Sequence, residues 1–178
     1  MRVRAPKPAY SAVMKARGAT PPKDVQPLDT VDVKIVTQLV RDGRIPNNAL
    51  AARVGIAAST ALARVRSLVD RGVIRGFTAD VDPVAVGRPV QAIVALRLRT
   101  HDSKHVMGFA ARVALLPEVV QTFHVSGTED FLIHVAVVDP EQLRAFVLTS
   151  LTSDPAVGQA QTHLVFEHQR GHFMRTAR

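Results

Sequence analysis

The chain has 178 residues, 47% of them hydrophobic and 4% aromatic, with a formal net charge of +8; that hydrophobic share supports a packed core, and the length allows one domain or two small ones. The absence of cysteine removes disulfides, thiolate zinc sites (zinc fingers included), iron–sulfur ligation and cysteine nucleophiles together. Uncharged runs fall far short of the ~18 residues of a membrane span, and no apolar signal core follows Met1-Arg2-Val3-Arg4, so the chain is expected to be cytoplasmic, without a membrane partner.

Residues 1–27 set Arg2, Arg4, Lys7, Lys15, Arg17 and Lys23 against Asp24 alone, whereas the two signs balance over 89–178. A cationic half joined to a neutral one points to a module that meets a polyanion, attached to a module with another task. The segment 1–27, punctuated by Pro6, Pro8, Pro21, Pro22 and Pro27, cannot bury enough apolar surface to offset its ordering entropy and reads as a flexible basic arm.

Helical spacing begins at Leu28. Leu28, Val31, Ile35, Val36 and Leu39 share one face of a helix over 29–41, with Asp29 as cap and Asp32 in the favourable first turn. After Arg44-Ile45-Pro46, Asn47 is the expected N-cap of a short second helix that turns Leu50, Ala51 and Val54 inward and stops at Gly55. A third helix over 58–70 is expected to turn Leu62, Val65, Leu68 and Val69 inward and Thr60, Ala63, Arg64 and Ser67 outward. Two short helices around a tight turn, braced by a preceding one, make a helix-turn-helix over 28–75, whose last helix has the dimensions of the DNA major groove. Ser59, Thr60, Arg64 and Arg66 are its candidate DNA-facing residues, and Arg44 and Arg75 are placed to touch phosphates. Each also has an ordinary reading, as a helix-capping hydroxyl or a solvated charge.

β-formers over 73–88 predict a short strand, and 76–88 serves as a linker. Beyond it, 89–170 reads as a strand alternating from Val90 to Leu98, a helix over 104–116 stopped by Pro117, strands over 118–125 and 131–138, a helix from Pro140 through Leu151, and a strand over 158–168, with 171–178 as a tail. The order βαββαβ is the ferredoxin-like arrangement, an antiparallel sheet with both helices on one side. Its helix-free face needs a cover, and self-association is the simplest one. The fold class is therefore α+β.

In this order, Leu28-Asp29-x-x-Asp32-x-x-Ile35, Asp42-Gly43-Arg44, Leu50-Ala51-x-x-Val54-Gly55, Arg64-Val65-x-x-Leu68, Gly72-Val73-Ile74-x-Gly76-Phe77, Asp82-Pro83, Leu116-Pro117-Glu118-Val119 and Val125-Ser126-Gly127-x-x-Asp130-Phe131 resemble the Lrp/AsnC, or feast/famine, regulators over about 28–170. The resemblance implies a sequence-specific transcriptional regulator that binds double-stranded DNA. It also implies a homodimer that assembles into a tetramer or octamer, and a small effector, commonly an amino acid, held between dimers near the loop joining the second and third strands. That places Gly127, Thr128, Glu129 and Asp130 at the candidate effector site: backbone N–H groups of a glycine turn can hold a carboxylate, and Asp130 can pair with an ammonium. In hairpins, such residues more commonly serve the turn itself. The sequence departs from the family pattern at Ala57-Ala58, where Ser-Pro is common, at Ala63, where a second Arg is frequent, and at Thr128 and Glu129.

Enzyme readings find no G-x-G-x-x-G, Walker loop or H-E-x-x-H, so no catalytic residue, cofactor or metal site is expected. His124, His134, His163 and His168 fall on predicted strands, and His101 and His105 are four apart; scattered histidines of this kind are ordinarily surface or interface residues. Two alternatives remain: a nucleoid-architectural protein that wraps DNA, and an enzyme resembling the sirohaem decarboxylases built on the same scaffold.

Overall fold

The computed structural model describes residues 27–99, 103–169, 171 and 174. The expected basic arm, 1–27, lies outside the described residues but for Pro27. The chain divides into two units, one reaching to Ala79 and rejoined by the C-terminal segment from Gln169, the other Asp80–His168.

In the first unit, Asp29 caps helix α1 (Thr30–Arg41) by accepting the Asp32 N–H at 2.7 Å. Helix α2 (Asn47–Val54) begins after Pro46, not on an Asn47 cap. The proline pre-sets the backbone, and Asn47, already helical, reaches across to the start of helix α3 (Ala58–Asp70), its Nδ2 donating to Ala58 O at 2.8 Å. Ile35, Val36, Ile45, Leu50, Val54 and Leu68 form the core, and Met174 of the tail packs against it.

No strand forms over 73–89. Gly76 (φ 154°) breaks the run, and Asp82-Pro83 folds into a turn in which Val84 N–H reaches Asp82 Oδ1 and Arg88 N–H reaches Pro83 O. β-forming side chains cannot make a strand without a neighbouring ladder to accept their hydrogen bonds.

The second unit runs β1 (Val90–Leu98), α4 (Ser103–Val113), β2 (Val119–His124), β3 (Phe131–Val137), α5 (Pro140–Phe146) and β4 (Val157–Leu164). Its four strands lie in the order β2-β3-β1-β4, all pairs antiparallel. Ala92, Val94 and Leu96 of β1 and Phe131, Ile133, Val135 and Val137 of β3 form one core with Phe109 and Val113 of α4 and Leu143 and Phe146 of α5. Each full burial of a side chain this size is worth about 1.5–3 kcal/mol. The expected single helix from Pro140 to Leu151 changes pitch: Val147–Thr152 is a π-helix. Hydrogen bonding from i to i+5 brings residues five apart to one side, and five is the spacing from Phe146 to Leu151, both buried. The helix-free face carries Ile93 beside His134 and His163, and Leu132 beside Phe123 and Ala95.

Candidate DNA-binding and effector sites

The turn between α2 and α3 depends on Gly55, whose φ of 79° is left-handed and costs glycine little. Its N–H and that of Ile56 both reach Ala51 O, at 2.9 and 3.0 Å. Ala57 supplies no side-chain acceptor at the start of α3, forgoing about 1 kcal/mol of capping.

The inner stripe of α3 is Ala61, Arg64, Val65 and Leu68; Leu62 and Val69, expected inside, are 41% and 42% exposed. Arg64 is therefore not on the outer face. Its Nη1 donates to Asp29 Oδ2 at 2.6 Å and to Asp32 Oδ1 at 2.7 Å, and Arg71, at the end of α3, lies 3.5 Å from Asp32 Oδ2. The N–H of Asp32, and then Arg64, hold the Asp29 carboxyl below its ordinary pKa. The hydrogen bonds to Asp32 and then Asp29 raise that of Arg64 in return. The guanidinium is thus committed to α1. Asp29 and Asp32, read from sequence only as helix-terminal charges, are its partners; the signal was the spacing 61, 64, 68 and 71, one helical line that ends on Arg71.

Ser59, Thr60 and Arg66 stand exposed on the outer face of α3, beside Ala63 and Ser67. Arg44 is exposed between α1 and α2, where its backbone N–H meets Asp42 Oδ1 at 3.0 Å. Arg75 is exposed after the Gly72 turn.

In the other unit, the β2–β3 loop is pinned at its end. Asp130 N–H donates to Leu96 O at 2.8 Å, its O accepts Val125 N–H at 3.0 Å, and its Oδ2 accepts Leu98 N–H at 2.7 Å. This carboxylate extends the β1–β3 pairing by one step, so one oxygen expected to face an ammonium already serves β1. Ser126, Gly127 and Thr128 protrude, Gly127 with φ 140°, and Glu129 is half-buried.

His134, 6% exposed, shares a hydrogen-bond contact with Gln91 Oε1 at 3.0 Å, and the His168 ring lies 5.5 Å away, edge on. Burial, then the His168 charge, push the His134 pKa below the ordinary histidine value. The unfolded chain therefore takes up its proton at higher pH than the folded one, and stability, complete above that unfolded value, falls as pH drops below about 6.5. Melting temperature measured from pH 7.5 to 5 should fall more steeply for the wild type than for His134→Gln; equal slopes would remove His134 as the cause. Among the described residues, no group of three or more His, Asp or Glu side chains is arranged to hold a metal, and no helix is long and apolar enough to cross a membrane.

Comparison with known proteins matches both units. Residues 28–75 match the winged helix-turn-helix DNA-binding model, and residues 91–171 the Lrp/AsnC ligand binding domain model. The HTH-type transcriptional regulator AldR of Mycobacterium tuberculosis is 47% identical over 88% of this chain and 89% of its own. The leucine-responsive regulatory protein of Rhizobium meliloti is 39% identical over 77% and 88%. The crystal structure of the M. tuberculosis AldR superposes with a TM-score of 0.71 at 45% identity, covering 81% of this chain and 98% of that one. That of a Neisseria meningitidis transcriptional regulator in complex with L-Met gives 0.73 at 32% identity, covering 82% and 94%. With both modules matched in their order along the chain, and relatives aligned over most of their length, the chain belongs to the Lrp/AsnC family of transcriptional regulators.

Proposed function

We propose that the chain reads operator DNA with the outer face of α3 and that an amino acid held at the β2–β3 loop changes that binding. The observation that carries the reading is the division of α3 into two sides: a core-facing stripe that includes the ion-paired Arg64, and an exposed side with Ser59, Thr60 and Arg66. Arg66 is the base or phosphate reader of this face, and Arg44 and Arg75 touch phosphates; Arg64 acts from behind by holding α3. Gly127, Thr128 and Glu129 supply the effector contacts, with backbone N–H groups around Gly127 receiving the carboxylate, while Asp130 shapes the loop. The L-Met bound to the Neisseria relative supports an amino acid as the ligand.

In this reading the helix-free sheet face is covered by a second copy, and the dimers assemble into a tetramer or octamer. An effector between dimers then selects one spacing of the α3 helices over another. The protein acts in the cytoplasm and performs no catalysis.

The test is a titration against the DNA upstream of the protein's own gene and a scrambled duplex, at two salt concentrations, with and without a pool of amino acids. Selective binding that the pool alters is the expected result, and Arg66→Ala should weaken it by about 1–3 kcal/mol. Equal binding to both duplexes that collapses with salt would replace this function by non-specific wrapping.

A further inference from the structure

We propose that Asp32 is a positioning residue for sequence readout: by holding Arg64 and Arg71 it sets the rotation of α3 about its own axis, and so which side chains enter the groove. The proposal rests on the DNA-reading function above. Asp32 belongs to α1, yet its two oxygens meet two side chains of the α3 region, Oδ1 to Arg64 at 2.7 Å and Oδ2 to Arg71 at 3.5 Å. Those arginines are seven positions apart, close to two full turns, so they fall on one line along the helix. Two fixed points on such a line remove both rotation about the axis and sliding along it, and Leu68, fully buried, lies between them.

The tolerance is small. A rotation of about 30° moves a side chain at a radius of ~5 Å by roughly 2–3 Å, which exceeds the range of a hydrogen bond to a base edge. Stability alone is a poor reason for this arrangement, because a carboxylate only 6% exposed between two guanidiniums can often be replaced by apolar packing without loss. Direct attraction to DNA is no reason either, because an acid in a DNA-binding module repels phosphate. What the carboxylate contributes is orientation.

That opposition of signs makes the test decisive. Duplexes enriched from a randomised library by the wild-type protein give a preferred sequence, and affinity is compared on it and on its scrambled version at a temperature where circular dichroism shows every variant folded. Asp32→Asn is expected to bind the preferred duplex tenfold or more weakly while holding or gaining affinity for the scrambled one. Asp70→Asn, which removes an exposed acid from the end of α3, should raise both affinities and keep their ratio. Arg71→Lys preserves charge but loses the guanidinium fork, and should likewise lower the ratio with scrambled binding unchanged; it decides alone if Asp32→Asn does not fold. A ratio kept by Asp32→Asn overturns the proposal and leaves the DNA-reading function standing. Failure of the wild type to enrich any sequence overturns both.

Discussion

An alanine in place of Phe131 is expected to destabilise the sheet unit by about 3–5 kcal/mol. Phe131 is fully buried at the first position of β3, paired with Leu96 on one side and His124 on the other. Its ring lies 5.4 Å from that of Phe109 on α4, and the His124 imidazole stacks at 4.9 Å. Truncation therefore opens a cavity where strand, helix and neighbouring strand meet, and also removes an aromatic pair worth about 0.5–1.5 kcal/mol beyond its buried area. Against a total stability of about 5–15 kcal/mol for a domain, a loss of this size leaves a substantial unfolded fraction at growth temperature. Urea unfolding followed by circular dichroism measures it. Phe123→Ala supplies the contrast: Phe123 sits on the helix-free face, 46% exposed, and its truncation in a monomeric sample should cost far less. Similar midpoints for the two variants would show that the core is not where the structure puts it.

Leu68→Ala should cost about 2–5 kcal/mol, and its effect should fall on DNA binding before it touches the sheet. Leu68 is fully buried and packs with Ile35, Val36, Ile45, Leu50 and Val54, a core with no buried residue in common with that of the sheet unit. A core this small has little reserve, so the variant is expected to lose its helical unit at a temperature where the strand signal persists. Two transitions in the thermal melt, the first coinciding with loss of duplex binding, are the expected record. Leu62→Ala carries the same chemical change on the same helix, but Leu62 is 41% exposed, and it should leave the first transition nearly in place. If Leu62→Ala proves as damaging as Leu68→Ala, the inner stripe of α3 runs where Leu62, Val65 and Val69 would put it.

The residues that misled the sequence reading are informative. The inner face of α1 was legible because Leu28, Val31, Ile35 and Leu39 are apolar and the positions between them are mostly polar, so only one helical stripe fits. On α3 two stripes competed. Leu62, Val65, Leu68 and Val69 made the more hydrophobic choice, but the true stripe joins Val65 and Leu68 to a small residue, Ala61, and a charged one, Arg64. Its stabilisation comes from Asp29 and Asp32, more than thirty positions away, and no local pattern encodes such a contact. Asp130 shows the same limit: its place in a turn was legible, but its bond to the Leu98 N–H, across the sheet, was not. The βαββαβ order was legible because strand alternation and helical spacing change at Pro117 and Pro140. The π-turn at Val147–Thr152 was not, because it answers to where the core needs Leu151.

The two-sided character of α3 also bears on how such a protein changes over time. Side chains that hold the helix and side chains that meet the outside share no position: Ala61, Arg64, Val65 and Leu68 serve the fold, while Ser59, Thr60, Ala63 and Arg66 face solvent. Substitutions on the solvent side are therefore nearly free of folding cost, since exposed helix positions away from caps and cores usually shift stability by about 0.5 kcal/mol or less. On the proposed reading of DNA by this face, a lineage can drift toward a new operator through those positions while its scaffold stays fixed, and an engineer can randomise the same four without rebuilding anything behind them.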